Sequence, residues 1–278
     1  MITIDTHTHA GPNWFEPIEM LVCQMELNGV DKAVLIQHGR PEFGHYDHEY
    51  LFQCLDKYPG KFAIVVILDT KNINSLRDLE RYKERGAVGI RLNPETRSPG
   101  SDPLAIWRIA NDLGMFVSGM GTVEGFASDQ FANLVGELPE LPIILEHLAG
   151  GGEGASFPRN GKGPEKPYSQ FRKAMDLSKF PNVYIKVHGL GEIINRPNVL
   201  NKNYSTGFYG ELPPLIDIAK DAFGVERMMW GSDYPPVSGR EGYRNALIGV
   251  KEYPAFNNRD DLEWVMGMTA LKVINFHV

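Results

Sequence analysis

Cysteine is nearly absent. Cys23 and Cys54 are the only two in the chain, and they form no CxxC pair. That excludes a disulfide scaffold and suits a reducing cytosol. No basic run occurs: 28 lysines and arginines stand against 35 aspartates and glutamates, a net charge of −7. Such a balance argues against nucleic acid or an anionic membrane as partner. Long apolar runs are missing as well; stretches such as Phe62 to Leu68 fall far short of the ~18 residues that cross a bilayer. The opening MITIDTHTHAG has no basic segment followed by an apolar one, so no secretory signal is expected. There is no P-loop signature, no GxSxG elbow and no catalytic-cysteine context. The Gly150-Gly-Gly-Glu-Gly run partly imitates a dinucleotide fingerprint, but Pro158 and the surrounding glycines prevent the helix that would receive a pyrophosphate. The expectation is a soluble, cytoplasmic protein.

What the chain does have is an alternation. Short β-branched or apolar runs recur at Ile2–Ile4, Lys32–Gln37, Phe62–Leu68, Ala87–Leu92, Phe116–Gly119, Pro142–Glu146, Val183–Val187 and Arg227–Trp230. Segments of helical spacing lie between most of them, and Asp260–Phe276 reads as one last helix. Eight strand–helix repeats predict a single (β/α)₈ barrel spanning residues 1–278, an α/β fold. An open doubly wound sheet is the alternative, although such sheets more often carry five to seven strands. Two connections, near 149–167 and 189–210, are longer than ordinary loops. Both follow strand C-termini, where barrel enzymes place their active sites, and they read as lids.

The chemistry-bearing residues gather at those same strand ends. In Asp5-Thr-His7-Thr-His9 the two histidines are two apart, so a strand projects both from one face into the barrel mouth. Two adjacent imidazoles make a nitrogen site for a divalent metal; two hydrogen-bonded polar residues are the plainer alternative. The sixth strand ends in Glu146-His147, the seventh in Lys186-Val-His188, and the eighth runs into Gly-Ser-Asp233. On a barrel, His7, His9, His147, His188 and Asp233 converge on one rim, and such a convergence has no cheap structural explanation.

IDTHTHAGP, the strand ending Glu146-His147, and WGSDYP resemble the amidohydrolase superfamily. More narrowly they resemble its branch of small lactonases, 2-pyrone-4,6-dicarboxylate hydrolase and related decarboxylases. The resemblance implies that His7, His9, His147 and Asp233 are active-site positions. In metal-using members of the family the equivalents bind a divalent ion, usually zinc, whereas some lactonases of the branch work without metal. The donor set also suits manganese, and the expected content is one divalent ion or none per chain. Two departures stand out: His188 sits where the branch often has serine, and Phe116-Val-Ser-Gly-Met offers no residue to bridge two metals.

Arg91 is the second informative feature. Strict alternation puts Val88, Ile90 and Leu92 outward, and Ala87, Gly89, Arg91 and Asn93 inward. An inward guanidinium either pairs with an acid such as Glu146 or Asp5, or clamps a carboxylate of the substrate. Arg97 lies six residues later, and the dicarboxylate hydrolase pattern has a similar pair of arginines. His38 is the most promising of three histidines in the next loop; His45 and His48 read as polar surface residues. Trp14 could wall the pocket, and Lys186 shares the inward parity of His188.

The leading expectation is a metal-assisted or metal-independent hydrolase of a small lactone or cyclic ester bearing a carboxylate. Asp233, His188 and His147 are its catalytic candidates, and Arg91, Arg97, His38 and Trp14 its substrate contacts. His7, His9, His147 and Asp233 are the metal ligands. The alternatives are a metal-dependent decarboxylase of an aromatic or unsaturated acid and a non-catalytic small-acid binding protein. In each case the partner is a small anionic molecule, and a homo-oligomer is left open.

Overall fold

The computed structural model describes residues 1–13, 17–40, 46–152, 164–193 and 212–276. Eight parallel strands follow one another in sequence order around a barrel. They are β1 (Ile4–Thr8), β2 (Lys32–Ile36), β3 (Phe62–Val66), β4 (Ala87–Leu92), β5 (Phe116–Gly119), β6 (Ile143–Leu145), β7 (Val183–Val187) and β8 (Met228–Trp230). The expected architecture is therefore the observed one. The helices are α1 (Ile18–Asn28), α2 (Glu49–Lys57), α3 (Ser75–Glu84), α4 (Ala105–Asp112), α5 (Val123–Phe126), α6 (Asp129–Glu137), α7 (Ser169–Met175), α8 (Leu215–Phe223), α9 (Tyr243–Lys251), α10 (Arg259–Glu263) and α11 (Thr269–Val273). The sequence reading missed α5 and α9. Most of the two expected lids, residues 153–163 and 194–211, lies outside the described residues.

Two apolar layers hold the barrel. The interior is filled by Val34, Ile36, Val65, Val88, Phe116, Ile144 and Met229, and Ile274 and Phe276 from the C-terminal segment pack with them. The outer layer joins the other strand faces to the helices through residues such as Leu35, Ile64, Trp107, Phe131 and Ile185. This is the two-sided burial that makes parallel strands read as continuous apolar runs.

Two bulges re-aim the strands that carry chemistry. On β4, Ala87 pairs with Ile64 but Gly89 pairs with Val65, so Val88 is an extra residue. Val88 consequently joins the interior and Ala87 the outer layer, the reverse of strict alternation. From Gly89 onward the expected parity holds, and Arg91 points inward. β1 begins later than expected and carries the His motif itself. Asp5 pairs with Ala33 and Thr8 with Leu35, three steps against two. A bulge there separates Asp5 from the face of His7 and His9.

The seam between β8 and β1 has one isolated strand bridge among the described residues, Thr8 to Tyr234, and is closed by side-chain and backbone hydrogen bonds together. Asp5 Oδ1 accepts the N–H groups of Ser232 (2.8 Å) and His7 (3.2 Å), and Thr6 Oγ1 donates to the Trp230 carbonyl at 2.7 Å. The Asp233 N–H donates to the His7 carbonyl (2.8 Å) and the His9 N–H to that of Tyr234 (2.7 Å). The seam therefore fixes the backbones of His7, His9 and Asp233 together.

The last helix runs without a gap from 259 to 273 but is irregular within. Between α10 and α11 residues 264–268 form a π turn, where Gly267 passes so close to Ile2 that a Cβ would lie 2.5 Å from its carbonyl oxygen. A residue without a side chain lets the segment close the barrel floor, at the cost of helical regularity. No helix among the described residues is long and apolar enough to cross a membrane.

Candidate active site

Four strand ends deliver the imidazoles and the carboxylate. His147, Leu148 and Ala149 adopt left-handed φ angles of 52°, 51° and 52°, and Asp233 one of 59°. Such angles are unfavourable for non-glycine residues and persist where surrounding structure enforces them. Here they turn the chain sharply after β6 and β8, with His147 and Asp233 at the turns.

The rings pack closely. The centroid of His7 lies 4.9 Å from His9, 4.9 Å from His147 and 4.8 Å from His188. His147 stacks on His188 at 4.1 Å. His9 Nδ1 donates to the Ile36 carbonyl at 2.8 Å, which leaves Nε2 toward Asp233 Oδ1, 3.3 Å away. His7 Nε2 stands 3.7 Å from the same oxygen. His147 Nδ1 donates to Glu192 at 3.0 Å, fixing its tautomer in the way typical of metal-binding histidines. Both nitrogens of His188 and Nε2 of His7 are buried without a hydrogen-bond partner among the described residues.

A second polar layer lies beneath. Arg91 donates to Glu146 through Nε (3.1 Å to each oxygen) and Nη2 (2.7 Å). Lys186 Nζ donates to Ser118 Oγ (3.0 Å), which donates in turn to Glu146 Oε1 (2.6 Å). Lys186 Nζ also approaches His7 Nδ1 at 3.4 Å. On the far side, Arg240 Nη1 bridges Asp233 Oδ2 (2.9 Å) and Glu192 Oε1 (2.7 Å).

Burial sets most of the charge states. Desolvation, then the Lys186 charge, pushes His7 well below the ordinary imidazole range. Desolvation, then His147, does the same to His188. Burial would lower His147 too, but Glu192 outweighs it and raises the group to about 9. Burial would raise Glu146, yet Arg91 and then Lys186 bring it down to about 2. Burial also works against ionised Asp233, and the His9 hydrogen bond and Arg240 overcome it, so the carboxyl is held well below its usual range.

The side chains fit a divalent metal ion. His7, His9 and Asp233 offer ligand atoms within 4.8 Å of one another, as do His7, His147 and His188, and His147, Glu192 and Asp233. Unpaired buried nitrogens on His7 and His188 are the kind of donors such an ion satisfies. Imidazole nitrogens with one carboxylate oxygen suit zinc or manganese.

Of the expected site residues, His7, His9, His147, His188 and Asp233 are brought together as the sequence implied. Arg91 commits Nε and Nη2 to Glu146, the ion pair the sequence left open, while its Nη1 makes no hydrogen bond among the described residues. Arg97 Nη1 donates to the carbonyls of Pro94 (2.9 Å) and Thr96 (2.7 Å), tying up its own loop. His38 lies beside His9, ring centroids 5.6 Å apart. Its Nδ1 accepts the Arg40 N–H at 3.2 Å, so the ring proton of neutral His38 sits on Nε2. Burial, then His9, pushes His38 down to about 3. Trp14 and His45 lie outside the described residues. Lys186 points inward as its parity predicted.

His48 is a correction. It is 1% exposed, accepts the Ile67 N–H on Nε2 at 3.1 Å and packs on Tyr82. Its role is to tie the start of α2 to the end of β3. His48→Ala should lower stability by about 2 kcal/mol, through an orphaned N–H and a cavity, while leaving catalysis unchanged. Melting and a turnover assay on the same preparation check this.

Sequence reasoning missed Glu192 and Arg240. Glu192 lies four residues past His188 in a turn with no strand periodicity, and Arg240 sits in a loop with no pattern at all. Ser118, which the sequence reading gave no role, links Lys186 to Glu146.

The Amidohydrolase family model matches residues 4–276. The chain belongs to that family. Among curated proteins, this amidohydrolase matches the uncharacterized protein y4mH of Sinorhizobium fredii, 28% identical over 170 residues. That match spans 59% of the chain and about half, 48%, of the relative. Solved structures share the fold at low identity. A probable 2-pyrone-4,6-dicarboxylic acid hydrolase from Acinetobacter baumannii, with citric acid bound, is 17% identical, with a TM-score of 0.69 over 98% of this chain and 99% of that one. An amidohydrolase from Burkholderia multivorans with bound zinc is 16% identical, with a TM-score of 0.69 over 98% and 99%. A dihydroxybenzoic acid decarboxylase from Polaromonas sp. JS666, with bound manganese and an inhibitor, is 15% identical, with a TM-score of 0.65 over 98% and 96%. Membership of that family makes the chain an enzyme of the amidohydrolase superfamily.

Proposed function

We propose that this amidohydrolase is a metal-assisted hydrolase that opens a small lactone or cyclic ester bearing a carboxylate. The observation that carries the proposal is Asp233: Arg240 holds its Oδ2, so Oδ1 is the oxygen offered to His7 and His9 at the mouth. An ionised carboxylate so fixed can take a proton from attacking water and return it to the leaving alkoxide oxygen. His188, with its unpaired nitrogens, donates a hydrogen bond to the oxygen on which negative charge develops. A zinc or manganese ion held by His7, His9, His147 and Asp233 would polarise the carbonyl and acidify water.

The charge balance supports an acidic substrate. Three cations with largely buried side chains, Arg91, Lys186 and Arg240, face four largely buried carboxylates, Glu146, Glu192, Asp233 and Glu241. Any divalent ion added to that balance leaves the cavity positive, which attracts an anion. The citrate in the Acinetobacter protein agrees with this. Arg91 Nη1, which makes no hydrogen bond among the described residues, is the donor offered to the substrate carboxylate.

Decarboxylation of an aromatic or unsaturated acid is the second reading, and His188 favours it. There the carbon–carboxylate bond breaks, carbon dioxide leaves, and the carbon takes up a proton that neutral His188 relays, gaining one from water on one ring nitrogen as it gives up the other. A panel of carboxylated lactones and aromatic acids, assayed with and without chelator, separates the two. Expected is lactone opening that chelation reduces at least ~10²-fold and that zinc or manganese restores. Carbon dioxide release without lactone opening would select the second reading, and full turnover after chelation would remove the metal from either.

A further inference from the structure

We propose that Arg240 and Glu241 form a clasp between the turns after β7 and β8, with Arg240 the positioning residue for Asp233 and, through Glu192, for His147. This rests on the metal-assisted reading of the site. The Arg240 side chain is 8% exposed. Its Nη1 spans Asp233 Oδ2 (2.9 Å) and Glu192 Oε1 (2.7 Å), and Nη2 donates to the Ser232 carbonyl at 3.3 Å. Glu241 Oε1 accepts the N–H of Gly191 at 3.3 Å, while Oε2 lies 3.4 Å from Arg240 Nε. Two consecutive residues of the loop after β8 thus hold two consecutive residues, Gly191 and Glu192, of the turn after β7.

The turn is shaped to receive them. A Cβ on Gly191 would lie 1.8 Å from Glu241 Oε2, and one on Gly189 would lie 1.9 Å from Oε1. Only a chain lacking side chains there lets the Glu241 carboxylate seat.

The geometry does more than neutralise charge. Two carboxylates held a single nitrogen apart repel one another unless that cation stays between them. With Oδ2 engaged, Asp233 offers Oδ1 alone to His9 Nε2 and His7 Nε2. Held through Oε1 by Arg240, Glu192 faces His147 Nδ1 with both oxygens, at 3.1 and 3.0 Å, so that Nε2 of His147 is the nitrogen left for a ligand. Arg240 therefore sets the orientation of two ligand side chains from different strands without touching the reacting centre. Outer partners of this kind typically change metal affinity by about 10–100-fold when removed.

The test uses the full chain and three variants: Arg240→Met, Arg240→Lys and Gly191→Ala. Zinc affinity is read by competition with a chromophoric chelator. The His147 Nδ1–H proton is read as a downfield NMR signal, assigned by its loss in His147→Gln, and melting is recorded in parallel. Arg240→Met should bind zinc about 10–100-fold more weakly and lose the signal. Arg240→Lys should recover most of both, because one ammonium can bridge two carboxylates as Nη1 does. Gly191→Ala, which displaces Glu241 and keeps Arg240, should weaken zinc about tenfold. Wild-type affinity and signal in Arg240→Met overturn the clasp. So does a lysine variant as poor as the methionine one with both melts lowered in step, which is damage to the fold. Should Arg240→Met not fold, Gly191→Ala decides, and wild-type affinity there overturns the proposal. If the wild-type chain takes up neither zinc nor manganese, the metal reading fails, and the NMR signal alone then decides the clasp.

Discussion

Arg91→Met should lower the stability of the chain by roughly 3–5 kcal/mol, a fall in Tm on the order of 10 °C for a domain of this size. Arg91 is 6% exposed and Glu146 1%, and the pair shares three short contacts inside the barrel. Removing the arginine leaves a buried carboxylate whose remaining partners are Ser118 and, through it, Lys186. The pH dependence has a definite sign. In the folded chain Glu146 lies at about 2, below its ordinary 4.5. A carboxyl depressed on folding contributes stability that is fully present above the unfolded value and is lost as pH falls through the folded one. Without Arg91 that depression shrinks, so the difference between the two melts should be widest near neutrality and narrow below pH ~4.5. A wild-type melt with a raised KM would instead make Arg91 a substrate clamp.

Arg91 also shows how much of the molecule could be seen in advance. Its inward aim was legible because strand parity is a backbone property. Its partner was not, because the choice between Glu146 and a substrate carboxylate depends on distances across the barrel that one strand cannot encode. The same split recurs along the chain. Eight strands were legible from apolar runs bounded by turn residues, and His7, His9, His147, His188 and Asp233 from their places at strand ends. Val88 was misplaced because a bulge adds one residue without a mark in composition. The single C-terminal helix was legible, but its π stretch at 264–268 was not, because the apolar periodicity carries through although the backbone there widens past Ile2. His48 looked like a surface residue because nothing near it in sequence announces the Ile67 N–H it satisfies. Glu192 and Arg240 stayed hidden because they act through each other, 48 residues apart, from turns that carry no periodicity.

Asp233→Asn should reduce kcat by at least ~10²-fold with a much smaller change in KM. The argument starts from Arg240, which can only donate. Asparagine at 233 must therefore turn its amide oxygen to Nη1, now the place of Oδ2 at 2.9 Å. Its amide nitrogen then faces His9 Nε2, where Oδ1 stands at 3.3 Å. A proton acceptor and anionic oxygen at the mouth are replaced by a donor that can neither take a proton from water nor ligate a cation. The same exchange should weaken zinc binding, which a chelator titration measures separately from turnover. The fold has less reason to respond: Arg240 keeps Glu192 at 2.7 Å, and the Asp233 N–H keeps the His7 carbonyl at 2.8 Å. A variant melting near the wild type with kcat lost identifies Asp233 as the group that moves the proton. Retention of more than about a tenth of kcat would remove it from that role and pass the role to His188, the remaining group at the mouth with both nitrogens unpaired among the described residues.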